Sequence, residues 1–500
     1  MLPDDLLLEI FDFCVDENEN EIEGLEAWQT LVHACRRWRT GVFGSPRRLS
    51  LRLVCADETP ARDTLDVWPA LPLVLWCSFS LKKVKMDNIV AVLERNNRVC
   101  QISLSGISSS DLENISAAMQ VPFPELTSLQ LWSDDEIYET AAVLPELFLG
   151  GSAPRLRFLY LCGIPFPGLP NLLLSATHLV TLLLCDIPHS GYFSPEAMVA
   201  ALSTMTCLEE LTLQFQSPLS HPDPASRRPP PPTRFVVPVL RYFEFKGVSE
   251  CLDYLVARID APRIFLLVVT FFNQIVFDTP HLAQFISRIP RLKLLDTADV
   301  IFNAGASSVK LTGTSRTNGA AGSGNLEVKI QCRELDWQVS SVEQVCTSCL
   351  PPLSILEDLY ITAEPYWQPY WQDNVENALW LELLRPFTAV KNLHLSDEFA
   401  RRIVPALQEL VGSRTTEILP ALENIFLDGL EPSGLVQEGI DRFVATRLVT
   451  SHPIGVTRWD RSSPSDIVSP LYSGISLSDR GKDRVPIGRR LINALRLLPR

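Results

Sequence analysis

Two cysteines, Cys346 and Cys349, carry the spacing of a redox pair or of half a zinc site. Structural zinc needs four ligands, so a second cysteine pair or nearby histidines should accompany them. No second pair follows at finger distance and no histidine lies close behind, so both thiols read as small buried apolar side chains. The histidines are His33, His178, His189, His221, His281, His394 and His452, far apart along the chain. There is no Gly-x-Ser-x-Gly elbow, no Walker loop and no His-Glu-x-x-His pair. Gly322-x-Gly324 alone is too little for a phosphate loop. These residue types predict no enzyme, no metal and no cofactor.

What remains is an architecture built to bury leucine. The chain has 500 residues, 46% hydrophobic and 21% charged, a composition that supports a sizeable core. Its 75 leucines, punctuated by 38 prolines and 23 glycines, point to a repetitive structure rather than a compact catalytic fold. With 59 acidic against 44 basic residues the net charge is −15, which disfavours nucleic acid and anionic membranes as partners. The longest apolar run, Ile264 to Phe272, falls well short of the roughly 20 residues a bilayer demands. The opening Met1-Leu2-Pro3-Asp4-Asp5 places acid where a secretory signal carries base. Twelve cysteines scattered singly fit reduced thiols, hence the cytosol or nucleus.

The first 48 residues differ from the rest. Pro3 suits a first helical turn, and Asp4, Asp5 and Glu9 complement the positive end of the helix dipole. Leu6, Leu7, Ile10, Phe11 and Cys14 repeat at the spacing of one apolar helix face, widened by Leu8 and Phe13. An acidic stretch, Asp16 to Glu26, follows. Ala27 to Phe43 then predicts a second helix, apolar at Trp28, Leu31, Val32, Cys35 and Trp38. The blocks Leu2-Pro3-Asp4-Asp5-Leu6-Leu7-Leu8-Glu9-Ile10-Phe11 and Leu31-Val32-His33-Ala34-Cys35-Arg36-Arg37-Trp38-Arg39 together resemble an F-box. The chain departs from that pattern in its acidic insertion and in starting the motif at the initiator Met. The resemblance implies a small helical module docking on the Skp adaptor of a cullin-based ubiquitin ligase, and through it on the cullin. Leu2, Pro3, Leu6, Leu7, Ile10, Phe11, Leu31, Val32, Cys35 and Trp38 would be the contact set, since helix-in-groove docking uses anchors at this spacing. The same helices could instead cap the open end of a solenoid.

Beyond residue 48 a period appears. Leu-x-x-Leu-x-Leu occurs at Leu126, Leu156, Leu179 and Leu208, with looser versions at Val99, Leu240, Ile264, Leu292, Leu356, Val390 and Leu422. From Val99 to Leu292 the intervals average about 28 residues, inside the range of leucine-rich repeats. The long gap after Leu292 has room for one further repeat, with strand-like Val309 to Thr312 and Leu326 to Ile330. Return helices are expected over Thr140 to Phe148 and Leu169 to Ala176. The place of the usual ladder asparagine or cysteine holds Ile164, Ile187 and Leu430, so the repeats are irregular. In this they resemble the repeat regions of expanded fungal F-box families.

The fold expected is α/β: a leucine-rich-repeat-like solenoid of parallel strands with helical returns over 49–460, preceded by an all-α F-box-like module over 1–48. Loop insertions fall near 217–233, rich in proline, and 313–325, rich in glycine and serine. Residues 461–500 hold eight basic residues against three acidic ones and read as a basic, disordered tail. Side chains alternate across a strand, so the residues between template leucines share one face: Gln130, Tyr160, Leu183, Thr212, Glu244, Val268, Tyr360, His394 and Phe426. This row is the predicted surface for a target protein. Trp367 and Trp371, in the aromatic cluster Glu364 to Trp371, either join it or pack on the last repeats. The expected role is substrate recognition for a ubiquitin ligase; the alternative is a binding scaffold with no ligase.

Overall fold

A computed structural model of the chain describes residues 3–15, 22–46, 51–55, 61–79, 86–133, 142–218, 234–274, 277, 279–293, 295–313, 324–364, 375–410, 417–428 and 434–459. Two compact units emerge, one holding residues 1–77 and 84–102, the other 78–83 and 103–460.

The first unit contains α1 (Asp4–Val15), α2 (Ile22–Ala34), α3 (Arg36–Gly44), β1 (Leu53–Cys55), α4 (Ala61–Val67), β2 (Leu73–Ser78) and α5 (Met86–Leu93); β3 (Val99–Ile107) begins in it. Pro3 accepts the Leu7 N–H at 3.1 Å, closing the first turn. The helix expected over 27–43 is instead two. Cys35 is extended (φ −162°, ψ 167°), and its Sγ accepts the Trp38 N–H at 3.5 Å as the N-cap of α3. α2 also starts earlier than expected, at Ile22. Nor does this unit close at residue 48. The buried Trp28 indole donates to the Arg52 carbonyl at 2.9 Å, and its ring meets Trp68 edge-on at 5.2 Å. A single core therefore joins the helices to β1 and the segment after it.

The second unit repeats strand and return. Its elements are α6 (Ser109–Ala118), β4 (Ser128–Ser133), β5 (Phe158–Cys162), α7 (Leu169–Leu173), β6 (Thr181–Ile187), α8 (Pro195–Leu202), β7 (Glu210–Phe215), β8 (Phe235–Val236), β9 (Tyr242–Gly247), α9 (Ser249–Val256), β10 (Ile259–Asp260) and β11 (Leu266–Phe271). Then come α10 (Pro280–Arg288), β12 (Thr297–Phe302), β13 (Ala306–Thr312), β14 (Asn325–Gln331), α11 (Leu335–Gln344), β15 (Asp358–Ala363), α12 (Asn377–Leu384), β16 (Asn392–Leu395), α13 (Asp397–Gln408), β17 (Asn424–Asp428), α14 (Leu435–Val449) and β18 (Gly455–Trp459). From β4 the strand order is β4-β5-β6-β7-β9-β11-β14-β13-β12-β15-β16-β17-β18. Among the described residues of these strands, only the two pairings of β13 are antiparallel; β8 and β10 form a separate parallel pair.

The template leucines do what their spacing predicts. Leu129, Leu159, Leu182 and Leu211 are register partners and fully buried, as are their equivalents two residues on. Removing such a row from water is the dominant stabilising term, about 25 cal/mol per Å² of apolar surface.

Three expectations fail locally. Leu292 sits in a short 3₁₀ turn (Pro290–Lys293), and the strand starts at Thr297. The gap that follows holds no simple repeat: β12, β13 and β14 fold back on one another, so β14 rather than β12 continues from β11. Residues 142–147 are not helical. Leu149 and Gly150 turn left-handed (φ 56° and 67°), and the Leu149 N–H donates to the Met119 carbonyl at 2.7 Å, so this backbone bonds to a neighbouring segment. No helix among the described residues is long and apolar enough to cross a membrane. Residues 461–500, like Trp367 and Trp371, lie outside the described residues.

Candidate functional site

In the first unit, α1 shows two faces. Leu7 and Phe11 are buried, as is Val32 on α2, and the Phe11 ring meets Trp38 edge-on at 5.0 Å. These three belong to the core of the unit rather than to a contact surface. Leu6 and Ile10, one turn apart, are instead 46% and 47% exposed. Pro3 and Cys35 are exposed, Leu31 and Trp38 half-buried, and Leu2 lies outside the described residues. Arg37 Nη2 bonds Asp4 Oδ1 at 2.6 Å, fixing α3 against the start of α1.

In the second unit, the predicted row is a single line of register. Gln130, Tyr160, Leu183, Thr212, Glu244 and Val268 are successive partners across β4 to β11. The line continues through Glu327, Lys310 and Asp299, which the repeat pattern missed because the folded-back strands break its period. It then reaches Tyr360, His394 and Phe426. Leu183, Thr212 and His394 are buried on this face, whereas Gln130, Glu244, Tyr360 and Phe426 are half-buried.

Two chemistries occupy it. Toward the C-terminal end the rings of Tyr360, His394 and Phe426 stack, at 4.0 Å (13°) and 4.4 Å (7°) between centroids. Burial lowers the His394 pKa to about 4, so its ring is neutral near pH 7. Beside the stack, Asn392 Nδ2 donates to Asp358 Oδ1 at 2.7 Å, and Asn424 Nδ2 to Asn392 Oδ1 at 2.9 Å. Here ring stacks on ring, and amide bonds to carboxylate and to amide.

Between β6 and β9 the face carries charge. Glu244 accepts from Gln214 Nε2 at 2.7 Å and from the Tyr242 hydroxyl. Lys246 pairs with Asp186 at 3.4 Å, where the bulge of β6 puts Asp186 at φ 47°. Glu210, in register with Thr181 and Tyr242, is only 6% exposed. Burial, and then the Glu244 charge, push its carboxyl up to about 7. Sequence reasoning passed over Glu210 because it precedes the template leucines. Its place beside Glu244, two residues ahead of Thr212 on the same face, was the available signal.

Cys346 and Cys349 lie buried in a π-turn (Val345–Cys349), where the Thr279 hydroxyl donates to Cys349 Sγ at 2.9 Å. Burial pushes the Cys346 thiol up, away from the thiolate that redox or metal chemistry uses. An open groove of about 600 Å³ runs past Arg155, Arg157, His178 and Glu209, all exposed. Arg155 already pairs with Glu125.

No protein-family model matches the chain, and no curated protein matches it significantly. Among solved structures, the leucine-rich repeat-containing protein LegL7 of Legionella pneumophila is similar at 12% identity, covering 78% of this chain and 97% of that one. The TM-score is 0.28, too distant for the likeness to bear on fold or function. The repeat architecture rests on the parallel register and the buried leucine rows instead.

Proposed function

We propose that the chain is a protein-recognition subunit that holds a target on the polar face of its repeat sheet and docks on a Skp-type adaptor through its N-terminal helices. One observation carries the docking half: Leu6 and Ile10 stand exposed on α1 at i, i+4 spacing, while Leu7 and Phe11 on the same helix are buried. An apolar pair held out of a core by a rigid helix suits helix-in-groove recognition. It also falls within the segment that resembles an F-box. In this reading the chain catalyses nothing itself. Partner subunits transfer ubiquitin, and this chain raises the effective concentration of the target's lysines. The compartment is the cytosol or nucleus.

Co-purification of the full chain with the Skp adaptor tests the reading. Capture lost in Leu6→Asp and in Ile10→Asp, with melting unchanged, is the expected result. Capture retained by both variants, or never seen with the parent chain, overturns it. A second reading, a binding scaffold outside any ligase, draws on the burial of Phe11, Trp28 and Val32, which gives the helices a purely internal role. In that case adaptor capture is absent while target binding persists.

A further inference from the structure

We infer that Glu210 and Glu244 form a subsite for one cationic side chain, lysine or arginine, of the protein bound on this face; the inference rests on the reading of the sheet face as a recognition surface. The two carboxylates sit on adjacent strands and the same face, Glu210 in register with Tyr242 and Glu244 two residues along. Glu244 is oriented by Gln214 and Tyr242. Glu210 is 6% exposed, and among the described residues no hydrogen bond or ion pair reaches its carboxylate. A buried carboxylate is ordinarily paired, because desolvation penalises the charge by far more than a surface position does. The neighbouring cation, Lys246, is engaged with Asp186. Glu210 therefore carries an unmet demand for positive charge.

A partner's ammonium or guanidinium group meets that demand better than a metal ion. Among the described residues no group of three His, Cys, Asp or Glu side chains is placed to hold a metal, and calcium or magnesium needs six or more oxygens. The flanking row residues Leu183 and Val268 are apolar, and suit the methylene stem of a lysine or arginine whose head reaches the carboxylates. The chain's net charge of −15 steers basic partners toward it.

The test pans the full chain against a random peptide library displayed on phage, then measures recovered peptides, fluorescein-labelled, by anisotropy. Lysine or arginine should be enriched. Glu210→Gln or Glu244→Gln should weaken binding at least about ten-fold, as truncating one side of a buried charge pair does. Replacing the peptide's cation by Gln should cost the same, and combining both changes should add little. That peptide arm needs no altered protein, so it stands even if a variant folds poorly. Arg401→Gln, on the exposed side of α13, should leave affinity within about two-fold, since distant sites act independently. Peptides without cationic bias, or cationic peptides indifferent to both Gln variants, overturn the subsite and leave the recognition reading intact. Recovery of no peptide overturns both. Calcium or magnesium chloride raising the melting temperature of the parent chain but not of Glu210→Gln makes the occupant a metal ion, and overturns the inference.

Discussion

The start of α1 and the middle of the sheet break the usual sorting of residues in opposite directions. On α1, Leu6 and Ile10 keep apolar surface in water. On β7, Glu210 takes a carboxylate out of water. The first forgoes a burial gain, and the second costs stability. The Tyr360–His394–Phe426 stack on the same sheet shows the contrary case, a buried ring held by its neighbours. Sites where local rules are broken without internal compensation are where binding is expected, and the two differ in the partner they call for: an apolar groove in one case, a cation in the other.

The sharpest break of this comparison comes from the buried side of α1. Phe11→Ala, emptying a fully buried site, should lower unfolding stability by about 3–4 kcal/mol, read from urea melts. Leu6→Asp, one turn away, should stay within about 0.5 kcal/mol of the parent. Equal losses would mean that α1 has no free face.

Next is Glu210→Gln, which should stabilise. In the folded chain Glu210 holds its proton up to about pH 7, whereas the unfolded chain releases it near the ordinary carboxylate value. Stability therefore falls as pH rises through that window, and the penalty is complete above it. Removing the charge should gain on the order of 2 kcal/mol at pH 8 and almost nothing near pH 4. A loss at pH 8 would reveal a compensating partner.

His394 gives the mirror image. Its folded pKa of about 4 lies below the ordinary histidine value, so the unfolded chain takes up the proton first as pH falls. Stability present near neutrality should drop by about 1–2 kcal/mol on acidification toward pH 4, and His394→Phe should flatten that limb in pH-dependent melts. The smallest effect belongs to the exposed Asp4–Arg37 pair. Asp4→Asn should shift stability by less than about 0.5 kcal/mol.

Most of the sheet was legible because period carries it. A leucine template fixes which side chains point into the core, and the residues between then fall into register, as Gln130 through Val268 do. Features set by a single backbone choice were not legible. The break at Cys35 depends on one extended residue, and Trp28 reaching Arg52 and Trp68 depends on a contact no periodicity encodes. The fold-back of β12 to β14 hides because a hairpin strand has the same alternating burial as a repeat strand. On α1, the face was legible but not its partition: Leu6 and Leu7 are neighbours of identical chemistry, and only packing decides which is buried.

The most direct measurement is a calorimetric titration of the purified full chain with purified Skp adaptor. Saturable one-to-one binding, abolished in the doubly substituted Leu6→Asp, Ile10→Asp chain whose melting temperature is unchanged, is the predicted result. Absence of binding by the parent chain, or undiminished binding by the doubly substituted one, contradicts the account.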